Sequence, residues 1–341
     1  MVSSAMIEVE HLSKVYGSTT AIQDVDFSVQ KGEILGFLGP NGAGKTTTMR
    51  ILAGYIPATT GTVRVAGFDV HEQSLAVRKR IGYLPENPPL YGDMTVESFL
   101  RFVASIKGVT PGDRRQRVDW AIERCQLTEK RKVLIRKLSK GFKQRVGIAQ
   151  AIVHDPAVII LDEPTVGLDP KQIIEVRNLI KSLAQDHTII LSTHILPEVS
   201  MTCDRVTIIN QGRVVATNTP DNLLADLRGN LSYQLEVAGA EGTAIAACLG
   251  SLAGVGEVQT KIHPQQQERW QVLVRSDRPE ELGQQLAQAI VGQGWHLYEM
   301  QRLRPTLEDV FLNLITNEGI EEAEEQREFS PGNGDNGGAQ A

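Results

Sequence analysis

Gly39-Pro-Asn-Gly-Ala-Gly-Lys45-Thr46 fits the pattern G-x-x-x-x-G-K-[ST], and its surroundings matter as much as the motif. An apolar strand is expected over residues 33–38 and a helix over 46–52, so the glycine-rich turn joins a strand to a helix N-terminus. That junction suits an anion. Gly39, Gly42 and Gly44 let the backbone curl until its N–H groups converge on phosphate oxygens, with Asn41, Ala43 and Thr47 in the same cradle. Lys45 adds a point charge for the β- and γ-phosphates, and Thr46 offers its hydroxyl to Mg²⁺.

A second element lies far downstream, in Val158-Ile-Ile-Leu-Asp162-Glu163. Four apolar residues predict a buried strand that delivers two acids at its C-terminal end, where ligands bind in open α/β sheets. Asp162 is suited to hold Mg²⁺, directly or through water, and Glu163 to orient and polarise an attacking water. An apolar strand ending in Asp-Glu is common by itself. The pairing with Lys45 gives it weight.

The chain has 341 residues, a length that suits two domains and a tail. Residues 1–228 alternate β-branched apolar runs (34–38, 158–161, 189–192, 206–209) with helical stretches, the pattern of an α/β domain. Residues 229–316 predict strands at 232–237, 257–262, 271–275 and 296–300, and helices at 243–252, 279–291 and 306–316. That βαββαβ order suggests a small ferredoxin-like α+β domain. Residues 317–341, a Glu block and a Gly/Asn-rich end, hold too little apolar surface to fold and are expected to be disordered.

The formal net charge is −6, and residues 317–341 hold seven acids against Arg327 alone, so the tail accounts for all of it. A neutral body argues against general nucleic-acid binding. Eight basic residues between Lys130 and Arg145 read as a solvated helical face beside an anion site. The three cysteines, Cys125, Cys203 and Cys248, are far apart and lack metal-ligand spacing, which fits a reducing compartment. No uncharged run approaches the ~20 apolar residues of a membrane span, and the first residues lack a signal-peptide core. The chain is therefore not expected to cross a membrane by itself.

Leu138-Ser139-Lys140-Gly141-Phe142-Lys143-Gln144-Arg145, with Ser139 23 residues before Asp162, resembles the signature sequence of ABC ATPases. Asp162-Glu163-Pro164-Thr165 and Gly167-Leu168-Asp169-Pro170 resemble that family's second nucleotide motif and D-loop. His194, in Leu191-Ser-Thr-His, resembles the switch histidine, and Tyr16 looks like the aromatic that stacks on adenine. The resemblance covers about residues 6–228.

The resemblance implies an α/β, P-loop NTPase fold of the ABC type that binds ATP and Mg²⁺. It also implies a head-to-tail pair, homodimeric or with a related cassette, around two ATP molecules. Ser139 and Gly141 would then face the γ-phosphate held by the other subunit, with Asp169 at the same seam and His194 on the γ-phosphate of its own cassette. Two sites depart from the family pattern. Lys140 and Phe142-Lys143 intrude into the usual Leu-Ser-Gly-Gly-Gln, while Gly141 is kept. Glu86 stands where the family has a glutamine touching Mg²⁺ and the membrane partner; a carboxylate still offers oxygen but adds negative charge.

Leu303-Arg-Pro-Thr-Leu-Glu-Asp-Val-Phe-Leu312 looks like the end of ATP-binding subunits of ABC-2-type exporters, which include drug-export, gliding-motility and copper-site-maturation systems. The expected activity is ATP hydrolysis that drives a separate transmembrane permease from the cytoplasmic face of the membrane. Pro88-Pro-Leu-Tyr91 reads either as a docking surface for that permease or as a buried, proline-bounded loop. The rival reading is a soluble ABC ATPase acting on ribosomes or DNA. Ribosomal members carry two cassettes per chain, and DNA-tethering members a long coiled coil between the motifs; this chain has one Lys45-type loop and no room for a coiled coil.

Overall fold

The computed structural model describes residues 5–225, 232–264, 266, 268–276, 282–303, 308 and 311. β1 (Ile7–Tyr16) and β2 (Thr19–Val29) pair as a hairpin with buried and exposed positions interleaved, as in strands covered on one face. β3 (Ile34–Leu38) differs, with all five residues buried. It leads to α1 (Lys45–Leu52), β4 (Thr60–Val65), β5 (Phe68–Asp69) and α2 (Ser74–Arg80). β6 (Ile81–Leu84), α3 (Val96–Ile106), α4 (Arg114–Arg124) and α5 (Lys140–Ile152) follow. Next come β7 (Val158–Asp162), α6 (Pro170–Leu183), β8 (Thr188–Thr193) and α7 (Leu196–Thr202). β9 (Arg205–Asn210) and β10 (Arg213–Asn218) come next, and α8 (Pro220–Ala225) follows them.

β3, β6, β7 and β8 are buried at every residue, which only a sheet covered on both faces allows. They lie in one sheet of order β10-β9-β3-β8-β7-β6, parallel from β9 to β6, with β10 antiparallel at the edge. The second sheet, β2-β1-β4-β5, is antiparallel. Its inward Ile7, Val9, Val63 and Val65 share a core with Phe37, Met49 and Leu52. The consequence is positional. β3, β8, β7 and β6 are neighbours, and their C-terminal ends open onto Gly39, His194, the Asp162–Glu163 pair and Glu86.

The chain divides into two compact units between Pro220 and Asp221, ahead of the boundary at 228 read from the sequence. The second contains β11 (Ser232–Ala238), α9 (Gly242–Gly250), β12 (Val255–Ile262), β13 (Arg269–Ser276), α10 (Gly283–Gly292) and β14 (His296–Leu303). All its pairs are antiparallel, in the order β12-β13-β11-β14, the interleaving of a split βαβ unit. Tyr233, Leu235, Val237, Val272 and Val274 pack against Ile245, Leu249, Leu286 and Ile290. The helix expected over 279–291 begins at Gly283. The helix expected over 306–316 falls almost entirely, and the tail 317–341 wholly, outside the described residues. Among the described residues no helix is long and apolar enough to cross a membrane.

Candidate active site

The loop between β3 and α1 needs its glycines for two different reasons. Gly42 and Gly44 sit at φ 84° and 105°, in the left-handed region that costs glycine nothing. Gly39, expected from sequence to help the loop curl, has no positive φ. A Cβ there would overlap the Ile209 carbonyl oxygen, so Gly39 serves close packing against the end of β9. Ala43 is buried, and Lys45, 5% exposed, opens α1. The Lys45 ammonium donates to the Gly39 carbonyl at 2.8 Å and to the Pro40 carbonyl at 3.2 Å. It also lies 3.4 Å from Glu163 Oε1.

Asp162 ends β7, Glu163 follows it, and both are buried. Asp162 Oδ1 accepts from the Thr46 hydroxyl at 3.2 Å and from the Ser192 hydroxyl at 2.6 Å. Its Oδ2 is buried with no hydrogen-bond partner among the described residues. Burial holds the Asp162 carboxyl above the usual carboxylate range, while the Ser192 and Thr46 hydrogen bonds pull it the other way. Glu163 adopts φ 50°, a strained value for a residue with a side chain. His194 Nδ1 lies 2.9 and 3.1 Å from its two carboxylate oxygens. A carboxylate only accepts, so Nδ1 carries the proton in this arrangement.

Asn41, Gly42, Gly44, Lys45, Thr46, Thr47, Glu86, Glu163 and His194 line one cleft of about 580 Å³. Ala21 and Val166 complete its wall. Sequence reasoning missed these two, and also Ser192 and Glu198. Glu198 Oε2 accepts from Thr165 at 2.6 Å and Thr193 at 3.2 Å, tying the turn after Glu163 to the residue before His194. Burial raises the Glu198 carboxyl. The pairing of β7 with β8 sets Ser192 opposite Asp162, and motif spacing carries no signal for it.

Tyr16, Ser139, Gly141 and Asp169 are not on that cleft's wall. Tyr16 is 48% exposed beside the β1–β2 turn, with the Lys14 ammonium 5.0 Å from its ring centre. Ser139 caps α5, its hydroxyl oxygen accepting from the Phe142 N–H at 3.4 Å. Asp169 caps α6, accepting from the Gln172 N–H at 2.9 Å. The two caps meet: a Cβ on Gly141 would overlap the Gln172 amide, and one on Gly167 the Lys140 ammonium. The lysine that departs from the signature pattern thus lies over the D-loop glycine.

The sequence family described as ABC transporter matches residues 22–166, which hold Lys45, Ser139, Asp162 and Glu163. The linearmycin resistance ATP-binding protein LnrL of Bacillus subtilis is 33% identical over 91% of this chain and 98% of its own length. The bacitracin transport ATP-binding protein BcrA of Bacillus licheniformis is 40% identical over 68% of this chain and 76% of its own. A solved ATP-binding subunit of an ABC transporter superposes with a TM-score of 0.60 at 32% identity, over 65% of this chain and 93% of that one. With LnrL matched along 98% of its length, and with the phosphate loop and Glu163 on one cleft and Asp162 bonded to Thr46 beside it, the chain belongs to the family of ABC transporter ATP-binding subunits.

Proposed function

We propose that this subunit pairs with a second cassette around two MgATP and hydrolyses ATP to drive a separate membrane-embedded permease in the direction of export. The observation that carries the reading is the convergence of Lys45, Thr46, Glu163 and His194 on one cleft, with Asp162 bonded to Thr46. The hydroxyl and carboxylate oxygens of Thr46, Asp162 and Glu86 are the hard donors Mg²⁺ takes, and the unpartnered Asp162 Oδ2 fits a cation. Bound there, Mg²⁺ would neutralise phosphate charge.

Lys45 exchanges its loop carbonyls for the terminal phosphates, which frees it from Glu163. Glu163 then orients and polarises the attacking water, and His194 contacts the γ-phosphate. Asn41, Gly42, Gly44 and Thr47 hold the phosphate chain, and Tyr16 stacks on adenine. Ser139 and Gly141, at the N-terminus of α5, meet the γ-phosphate of the partner's ATP, with Asp169 beside them. Tyr91 is exposed and its ring packs beside Phe102, so the stretch after Glu86 offers an apolar surface for a cytoplasmic helix of the permease. That docking places the chain at the cytoplasmic face of the membrane. Export is read from the resemblance of the 303–312 stretch to exporter subunits, and the resistance in LnrL's name and the transport in BcrA's support it.

The test is Glu163→Gln, which keeps the shape and removes the carboxylate. Hydrolysis should fall by roughly 10²–10⁴-fold while ATP still binds. The variant should then accumulate as an ATP-dependent dimer in light scattering, and adding Ser139→Arg should prevent it. A Glu163→Gln protein that stays monomeric with MgATP bound, permease present, would sink the paired reading.

A further inference from the structure

Ser192 lies in the Leu191–His194 stretch, where the sequence points to His194 alone, yet both acids of the site depend on it. It lies in β8 opposite Asp162 in the parallel register and is fully buried. Its hydroxyl donates to Asp162 Oδ1 at 2.6 Å. The Glu163 N–H in turn donates to Ser192 Oγ at 3.0 Å and to the Ser192 carbonyl at 3.2 Å. A hydroxyl has one proton, so these two bonds set its orientation completely. Thr46 also donates to Oδ1, at 3.2 Å. With two hydroxyls on Oδ1, the other oxygen is the one left without a partner among the described residues.

A carboxylate turns easily about its last torsion, which is broad and nearly two-fold. Without Ser192 only the longer Thr46 bond would resist that turn. The Glu163 N–H would keep the carbonyl alone as partner, at a residue whose φ of 50° already needs support. We propose that Ser192 is a positioning residue: its buried hydroxyl pins the Asp162 carboxylate so that Oδ2 stays free for Mg²⁺, and it holds the Glu163 backbone in its left-handed turn. This rests on the reading of Asp162 as the Mg²⁺ carboxylate. Partners that orient a metal's ligands typically change affinity by about 10–100-fold when removed.

The test uses the full-length chain and trinitrophenyl-ATP fluorescence, first in EDTA and then through a Mg²⁺ titration. For Ser192→Ala the metal-free affinity should stay within about twofold of wild type, while the Mg²⁺ concentration at half effect rises about tenfold. Ser192→Cys, close in shape but a weak donor, should follow Ser192→Ala, and it decides the matter if the alanine variant does not fold. Asp162→Asn is the control and should abolish the Mg²⁺ effect. If Asp162→Asn keeps that effect, the metal reading fails and the proposal with it. If Asp162→Asn loses it while both Ser192 variants titrate like wild type, the proposal alone is overturned. Equal losses with and without Mg²⁺ would mean a merely structural serine and also overturn it.

Discussion

The two sheets that define the two units bury their residues in opposite ways. In β3, β7 and β8 every residue is buried, so polar chemistry has no place along the strand and appears where the strand stops. In β11 the pattern alternates, with Tyr233, Leu235 and Val237 inward and Glu236 between them. Glu236 lies 3.5 Å from Arg269 and 3.3 Å from His263, and Arg269 stacks over Tyr298. Polar groups there run along the sheet instead of collecting at one end. A parallel sheet covered on both faces concentrates chemistry; an antiparallel sheet covered on one face spreads it.

The difference can be broken by substitution. Leu235→Ala removes a fully buried side chain from the core of the second unit and should cost about 2–5 kcal/mol of that unit's stability. Trp270 and Trp295 pack against that core, so tryptophan fluorescence in a denaturant series reports it. ATP affinity should not move. A Leu235→Ala protein that lost nucleotide binding in step with its second unit would show the two regions unfolding as one.

The reciprocal change is Lys45→Ala, which deletes a charge-assisted phosphate contact worth ~1.5–3 kcal/mol, or roughly tenfold to a hundredfold in ATP affinity. Calorimetry with MgATP would measure it, and the unfolding of the second core should be unchanged. Wild-type affinity in this variant would remove the phosphate loop from the argument.

The smallest effect sharpens the comparison through pH. His154 lies just before β7, its Nε2 3.1 Å from the Ile81 carbonyl. Burial, with help from the charge of Lys107, pushes its imidazole down to about 4. The unfolded value is about 6.5, so the unfolded chain binds more protons between those two pH values. The contribution of His154 is therefore complete above pH 6.5 and is lost as pH falls toward 4, on the order of 1 kcal/mol by pH 5.5. Thermal melts of wild type and His154→Gln from pH 7 to 5 should diverge for the first unit and coincide for the second. Parallel pH slopes would assign the loss to other groups.

Much of the site was legible because its groups are close in sequence or fall at strand ends. Gly42, Gly44, Lys45 and Thr46 lie in the loop and helix that follow β3, and Asp162 ends β7 with Glu163 next in the chain. The strands of the second unit were legible from the sequence, although their edges extend one to three residues further, to Ala238, Val255, Arg269, Ser276 and Leu303. Gly39 was assigned the wrong reason. Its need for glycine comes from the Ile209 carbonyl of β9, and no local pattern announces that contact. Glu198 went unread for the same cause, since Thr165 and Thr193 reach it from different elements.

Chain order and residue chemistry by themselves determined that this protein has a phosphate loop, a pair of acids at the end of a buried strand and a second α+β region. Each depends on a local rule: glycine where the backbone turns, apolar runs where strands are buried. The tertiary structure alone decided which groups touch. It set Ser192 against Asp162, Glu163 between Lys45 and His194, and Gln172 over Gly141. The reason is that β-sheet register and crossover order join residues far apart in the chain, so hydrogen bonds between neighbouring strands are invisible to any one strand's sequence.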